Sequence, residues 1–373
     1  MLPYLICFSL SCFLFWLGQN LKHGHSELFR WFIYGVALLI PITLAGVRDL
    51  SVGTDVLIYS YPAFKEACTV PNTGAFSASY DSWLGAGFLN LNFAISRITN
   101  NYHVFLFLFM TLQISFVFFG IYKWRDKFPI WLGMFAYYTF FFNQSLNQMR
   151  QILALSIAFF GIKYIFKRKI LYFAIWVLLG SLFHKSVLLM LLFYPMFWYV
   201  NAFPSKKSKV LFFIIVLFLI IFLNQIAQFV ANIVLPPAVA GRLWNYMSNI
   251  DEGNFPYKNL VFYSFLAILF LYKRKTILSR FSIEIGHFLE VFVVFIAVAQ
   301  LLYYSSGIVN RILYNVTWWE CFLVPIMFCS YKIIGRIGII AICLFYWYSY
   351  YWLSFLDYSG TREYSSSILD SIF

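Results

Sequence analysis

The sequence predicts an all-α polytopic integral membrane protein of about twelve transmembrane helices, organised as a single membrane domain over residues 1–373. Three observations predict it. Of the 373 residues, 62% are hydrophobic, 23% aromatic and only 11% charged, far from the composition of a soluble domain. Apolar runs of about 20 residues, the length that crosses a hydrocarbon core, recur from end to end. The basic residues cluster in short connectors between those runs, so the net charge of +13 reads as membrane topology and not as a nucleic-acid surface.

Taken in order, the apolar runs cover 1–19, 31–47, 102–122, 129–143, 147–166, 170–184, 186–200, 209–231, 258–272, 284–306, 312–331 and 337–356. The first has no basic region before it and no small-residue cleavage site after it, so it is expected to be retained as a span. The stretch from Lys127 to Lys167 is too long for one span and divides at Asn143-Gln144-Ser145. That from Lys169 to Lys206 divides at His184-Lys185. With these divisions, 18 of the 27 Lys and Arg residues fall in six connectors on one side. The positive-inside rule makes that side cytoplasmic and places both termini outside. Fifteen residues of helix cover about 22 Å against a core of about 30 Å. The tips at 143–147 and 184–185 are therefore expected to be sunk below the outer surface, opening a cavity to the outside, unless the bilayer thins there.

Two outer segments are long. Residues 48–101 carry Arg48 and Val52-Gly53-Thr54-Asp55, then a stretch from Trp83 to Ile98 that reads as an amphipathic or re-entrant helix. Residues 232–257 carry Pro236-Pro237, Arg242 and Asp251-Glu252, and residues 357–373 form a serine-rich polar tail expected to be loose. Five of the six cysteines lie within apolar runs as small core residues; Cys68 lies in a loop, and no metal spacing is present.

Arg48, Arg150, Arg242 and Arg311 stand at or beside the outer ends of apolar runs, where an arginine must hold something or be held. Arg150 opens a helix, and Asn143, Asn147, Arg150 and Gln151 share one face if that helix extends far enough. The alternative is an interfacial arginine snorkelling to headgroups. His184 is either a satisfied interfacial residue or a general base or anion donor, and Lys185 either a phosphate partner or a chain end. Asp55 either caps a short helix, pairs with Arg48, or takes a proton from an attacking hydroxyl. Arg242 and Arg311 sit among aromatics, which suit sugar stacking and phosphate clamping as well as an ordinary aromatic belt. Glu290 and Glu320, inside runs, are weaker candidates. No phosphate-cradling glycine loop, zinc spacing or nucleophile elbow occurs.

These motifs, in this order, resemble the EpsG-like family of polysaccharide polymerases, a branch of the Wzy-type O-antigen polymerases. The resemblance rests on Arg48, Val52-Gly53-Thr54-Asp55 and Tyr59, then Asn147-Gln148-Met149-Arg150-Gln151, Leu182-Phe183-His184-Lys185-Ser186 and Asn310-Arg311. It implies a GT-C-like architecture in a bacterial inner membrane. It also implies glycosyl transfer that joins undecaprenyl-diphosphate-linked repeat units on the periplasmic face, with no nucleotide-sugar site. The expected machinery is His184, Asp55 and Arg150 as catalytic residues, with Arg48, Arg242, Arg311, Lys185, Asn147 and Gln151 binding substrate. No metal or cofactor is expected. The expected partners are the lipid-linked glycans, membrane lipid, a chain-length regulator and a flippase. The competing classes are a flippase or transporter of the same lipid-linked units, which should show an internal repeat and midplane charges, and an O-antigen-ligase-type glycosyltransferase with another acceptor. A membrane acyltransferase would want its histidine in a deep polar channel.

Overall fold

A computed structural model describes residues 1–21, 27–74, 76, 84–222, 257–301, 307–354 and 360–371, of which 220, 307–311, 351 and 354 are described in backbone only. Among these residues every regular element is helical. Each of the twelve apolar runs contains a helix, and five helical stretches are long and apolar enough to cross a membrane: Leu2–Asn20, Glu27–Gly46, Tyr102–Tyr122, Met149–Phe166 and Ile312–Ser330. The chain forms two compact units, Met1–Leu188 with Glu320–Phe373, and Leu189–Trp319.

In the first unit, α1 (Leu2–Asn20) packs on α2 (Glu27–Gly46). The segment after α2 forms α3 (Tyr61–Thr69) and α4 (Ala86–Ser96). Next comes α5 (Tyr102–Tyr122), whose first turn is capped by Asn101; its side chain accepts from the His103 backbone N–H at 2.8 Å. A helical stretch then runs through α6 (Ile130–Tyr137), a π-helical turn at Tyr138–Phe142, and α7 (Asn143–Asn147). Gln148, at ψ 53°, breaks it before α8 (Met149–Gly161). α8 is buried at every position except Phe160, as a helix apolar nearly all round must be, and it packs between α5 and α10 (Ile170–Ser181), beyond the short α9 (Lys163–Phe166).

The basic connectors of this unit share one end. Lys163 Nζ donates to the Lys123 carbonyl at 3.2 Å, Lys123 Nζ to the Phe160 carbonyl at 2.8 Å, and Trp124 meets Phe166 and Phe322. The Ile130 N–H donates to Gln19 Oε1 at 2.8 Å, which brings in the end of α1. Burial and the neighbouring Lys163 and Lys167 charges push the Lys123 ammonium down to about 8.

Two expectations are corrected here. The tail is not loose. Tyr364 Oη donates to Leu44 O at 2.7 Å, Ser366 Oγ to Val47 O at 2.6 Å, and Asp49 Oδ1 accepts from Ser367 N–H at 2.8 Å and its hydroxyl at 2.9 Å. Backbone bonds from Gly53 N–H to Gly360 O (2.9 Å) and Asp49 N–H to Ser365 O (3.0 Å) complete a strap over the Arg48 loop. A serine-rich segment looks solvated when read alone, but its hydroxyls here satisfy the open carbonyls at the end of α2. The two tips also differ from each other. Asn143, Gln144 and Ser145 are fully buried, in a helix and not a polar loop, whereas His184 is half-buried and Lys185 exposed.

The second unit begins in a 3-10 stretch, Lys185–Leu192, that starts in the first unit and starts the seventh run where an α-helix was expected. It continues through α11 (Phe193–Ala202), α12 (Lys206–Ile221), α13 (Tyr257–Tyr272), α14 (Arg274–Leu278), α15 (Ile283–Ala299) and α16 (Gly307–Thr317). Its core stacks Phe288 on Phe292 at 5.1 Å, with Phe193, Phe197 and Trp319 edge-on or tilted around them. Glu290 accepts from Lys209 Nζ at 2.7 Å and Arg274 Nη1 at 3.0 Å, so its role is structural. The chain then returns to the first unit in α17 (Glu320–Ser330), which packs on α6, and α18 (Ile333–Tyr348).

Candidate functional site

The site gathers at the end of the first unit opposite the basic connectors. Its frame is the Val52-Gly53-Thr54-Asp55 turn pressed against Leu146-Asn147. Gly53 has φ +97°, and a Cβ there would lie 2.3 Å from the Leu146 carbonyl oxygen, so both conformation and space require glycine. The Asn147 side-chain oxygen then accepts from Thr54 Oγ1 and from the Asp55 N–H, each at 2.9 Å. Asn147 thereby caps, from a distant segment, the turn that Thr54 and Asp55 were expected to cap themselves.

A π-helical turn at Val56–Ser60 follows, placing Tyr59 at the centre of the site. Tyr59 is 4% exposed, and its hydroxyl is hydrogen-bonded to both Asp55 and Arg150. A carboxylate only accepts and a guanidinium only donates, so the phenol donates to Asp55 and accepts from Arg150. Burial, reinforced by the Asp55 charge, pushes the phenol well above its ordinary value; it stays protonated. The Arg150 guanidinium lies 4.6 Å from the Tyr59 ring centroid and 5.9 Å from that of Phe88. Phe88 arrives on α4, the helix expected within Trp83–Ile98. That helix buries one face, Phe88, Leu89, Asn92, Ile95 and Ser96. Its start rests on the other motif: Gly87 N–H donates to Leu182 O at 2.8 Å, and a Cβ on Gly85, at φ +81°, would lie 2.7 Å from the same oxygen.

Arg150 and Gln151 are neighbours in the first turn of α8 and diverge. Gln151 Nε2 donates to Ser186 Oγ at 3.4 Å, and Ser186 Oγ lies 2.7 Å from His184 Nδ1. The expected single face of Asn143, Asn147, Arg150 and Gln151 does not form, because the break at Gln148 turns them to different partners. Asn143 Oδ1 accepts from Trp347 Nε1 at 3.1 Å. The Arg48–Asp55 ion pair does not form either. Arg48 is fully buried; its Nη2 donates to Leu146 O at 3.0 Å and approaches Met149 Sδ at 3.7 Å. Tyr102, Tyr4, Tyr364 and Tyr59 lie within electrostatic reach of its charge.

Around these residues the protein offers more buried hydrogen-bonding groups than it uses. Arg48 Nε and Nη1, both ends of the Gln144 amide, Asn143 Nδ2 and Gln148 Oε1 find no partner among the described residues. Buried polar atoms are nearly always paired, so such a concentration marks a polar site. Glu320, 1% exposed, also has an oxygen, Oε2, without a partner among the described residues, and no other described candidate residue is tied to it.

The structure thus brings together Asp55, Asn147, Arg150, Gln151 and His184, sets Arg48 behind them, and leaves Lys185 exposed on the rim. Arg242 lies outside the described residues, and Arg311 is described only as a backbone position in α16. Sequence reasoning missed Phe88 and Ser186 as site members and gave Tyr59 no role; the paired glycines Gly85 and Gly87, two residues apart, were the available sign of a close approach. No curated protein and no solved structure matches the chain significantly. The sequence profile of the EpsG family matches residues 31–368, nearly the whole chain, and it points to a membrane glycosyl-polymerase type of function: the chain belongs to the EpsG family.

Proposed function

We propose that this protein is a polymerase of the bacterial inner membrane. In this reading it joins undecaprenyl-diphosphate-linked oligosaccharide repeat units into O-antigen or another surface polysaccharide on the periplasmic face. The observation that carries the reading is the Asp55–Tyr59–Arg150 constellation: a carboxylate and a guanidinium fixed to one buried hydroxyl, at the first turn of a helix. A lipid diphosphate is a good leaving group once its charge is held. Arg150 supplies a planar two-pronged donor for it, and the N-terminal end of α8 adds potential of the same sign. Asp55 or His184 takes the proton of the attacking sugar hydroxyl. Arg48, from behind Leu146 and Met149, raises the positive potential of the site, and Lys185 extends it at the rim; Arg242 and Arg311 are assigned to substrate binding on the sequence alone. Asn147 serves by holding Asp55. No step calls on a metal, and a chain-length regulator and a flippase are the expected companions.

Deletion of the gene followed by gel analysis of the surface polysaccharide tests this. A polymerase leaves single repeat units and no ladder; loss of every unit means a flippase or ligase. In vesicles supplied with lipid-linked units, Arg150→Ala is expected to abolish long chains, and a variant that still makes them sinks the assignment.

A further inference from the structure

Resting on that reading, the geometry of His184 divides the chemistry between the two candidate bases. Nδ1 of His184 faces two groups of Ser186: the hydroxyl at 2.7 Å and the backbone N–H, which donates to it at 3.4 Å. The Ser186 backbone N–H points at Nδ1 and makes that nitrogen an acceptor, so the Ser186 hydroxyl, which accepts from Gln151 Nε2 at 3.4 Å, gives its own hydrogen to the imidazole. Nδ1 is then an acceptor twice over, and a proton on it would point at the Ser186 N–H. The ring proton therefore sits on Nε2, because the hydrogen bonds made by one ring nitrogen decide the state of the other.

We infer that His184 acts as a hydrogen-bond donor through Nε2–H to a phosphate oxygen of the lipid diphosphate, that Ser186 is the positioning residue fixing this tautomer, and that Asp55 is the base. In the step itself, the acceptor hydroxyl oxygen bonds to the anomeric carbon of the donor chain. The bond from that carbon to the phosphate oxygen breaks, and its electron pair leaves on the phosphate. The hydroxyl proton passes to the Asp55 carboxylate. The Nε2–H bond of His184 stays intact and meets the charge gathering on the leaving oxygen, as the Arg150 guanidinium does. The adjacent residues Arg150 and Gln151 thus serve the two halves of the site, one directly and one through Ser186 and His184.

Amide isosteres test this, since a Gln amide nitrogen reaches the place of Nε2 and an Asn amide nitrogen that of Nδ1. In proteoliposomes supplied with lipid-linked units, His184→Gln is expected to stay within about tenfold of the native rate, while His184→Asn and His184→Ala fall about a hundredfold or more, the usual loss for a missing donor of this kind. Nitrogen-15 NMR of histidine-labelled protein in nanodiscs, with the His184 signal assigned by its loss in His184→Gln, is expected to show a bare Nδ1 and a protonated Nε2. Ser186→Ala should mix the tautomers, and Ser186→Thr should restore the native signal. A protonated Nδ1 in the native protein, or a His184→Gln protein no better than His184→Ala, overturns the inference. If the native protein makes no polymer at all, the polymerase reading falls, while the NMR result still decides the tautomer and the role of Ser186.

Discussion

Gly53 carries two constraints in one residue, and they make it the sharpest point at which to test the frame of the site. Alanine there would hold a left-handed backbone, at about 1–2 kcal/mol, and would drive a methyl into the Leu146 carbonyl at 2.3 Å. Gly53→Ala is expected to lose at least about 2 kcal/mol, read as a lower melting temperature in detergent together with lost polymer synthesis; a native melting curve would show the turn to be slack. Tyr59→Phe asks a finer question. It keeps the ring beside Arg150 and Phe88 and removes only the hydroxyl that joins Asp55 to Arg150. One buried hydrogen-bonded hydroxyl is worth about 1–3 kcal/mol. The variant should therefore lose stability on that scale, and polymerisation should drop about tenfold or more because Asp55 and Arg150 are no longer joined; native rates in this variant would remove Tyr59 from the machinery. Arg150, Asp55 and His184 were legible in the sequence because charged or titratable groups at the ends of apolar runs are conspicuous. Tyr59, Phe88 and Ser186 were not, because one more aromatic or hydroxyl among 46 Phe and 27 Tyr residues carries no signal until its neighbours are known.

At the scale of elements, the twelve apolar runs were legible because a span declares itself locally, by length and hydropathy. The strap was not, because the bonds that tie it to the Arg48 loop join residues more than 300 positions apart, as Ser367 to Asp49 and Tyr364 to Leu44 do. The break at Gln148 was hidden for a similar reason: a π-helical turn and a kink leave the apolar pattern intact while ending one helix at Asn147 and starting another at Met149. The strap closes over the loop that carries Arg48 and Gly53, so its loss should disorder the site and not only an end of the chain. Deletion of residues 360–373 is expected to make the 47–53 loop susceptible to protease and to abolish polymer synthesis; a protected loop and native activity would leave the strap without a structural role. Its pH dependence follows from Asp49. The Ser367 N–H, with the Ser367 and Ser365 hydroxyls and the His103 charge behind it, holds the Asp49 carboxyl below its ordinary value. Its contribution is complete above the unfolded value of about 3.9 and fades as the pH falls through the lower folded one. Protease sensitivity of the loop should thus rise only in that acid range, whereas Asp49→Asn should show it at neutral pH.

Over the whole molecule, topology and chemistry constrain each other. In the first unit the end of α1 at Gln19 and the segments around Lys123 and Lys163 meet at one end, and the Arg48, Asp55, Arg150 and His184 segments meet at the other. In the second unit, Glu290 touches both Lys209 and Arg274, so the connectors after the seventh and ninth runs lie at one end of that unit. Two apolar runs separate the connectors in each case, so a reading of twelve spans with both termini outside predicts that these connectors share one side of the membrane. Glu290→Ala should therefore cost about 1 kcal/mol of stability, the scale of a partly exposed ion pair, and leave polymer synthesis untouched. Orientation has its own probe in the native chain. Cys68 is a half-buried thiol of the segment between α2 and α5, expected to lie outside, and Cys7, Cys321 and Cys343 are buried. In spheroplasts a membrane-impermeant maleimide is expected to label the native protein, and Cys68→Ser should remove most of that label. With Cys68→Ser as background, Lys169→Cys and Lys207→Cys, both at exposed positions, should react only after the membrane is permeabilised. Labelling of either from outside would reverse the membrane orientation, put the Arg150 end on the cytoplasmic face, and exclude polymerisation at the periplasmic surface.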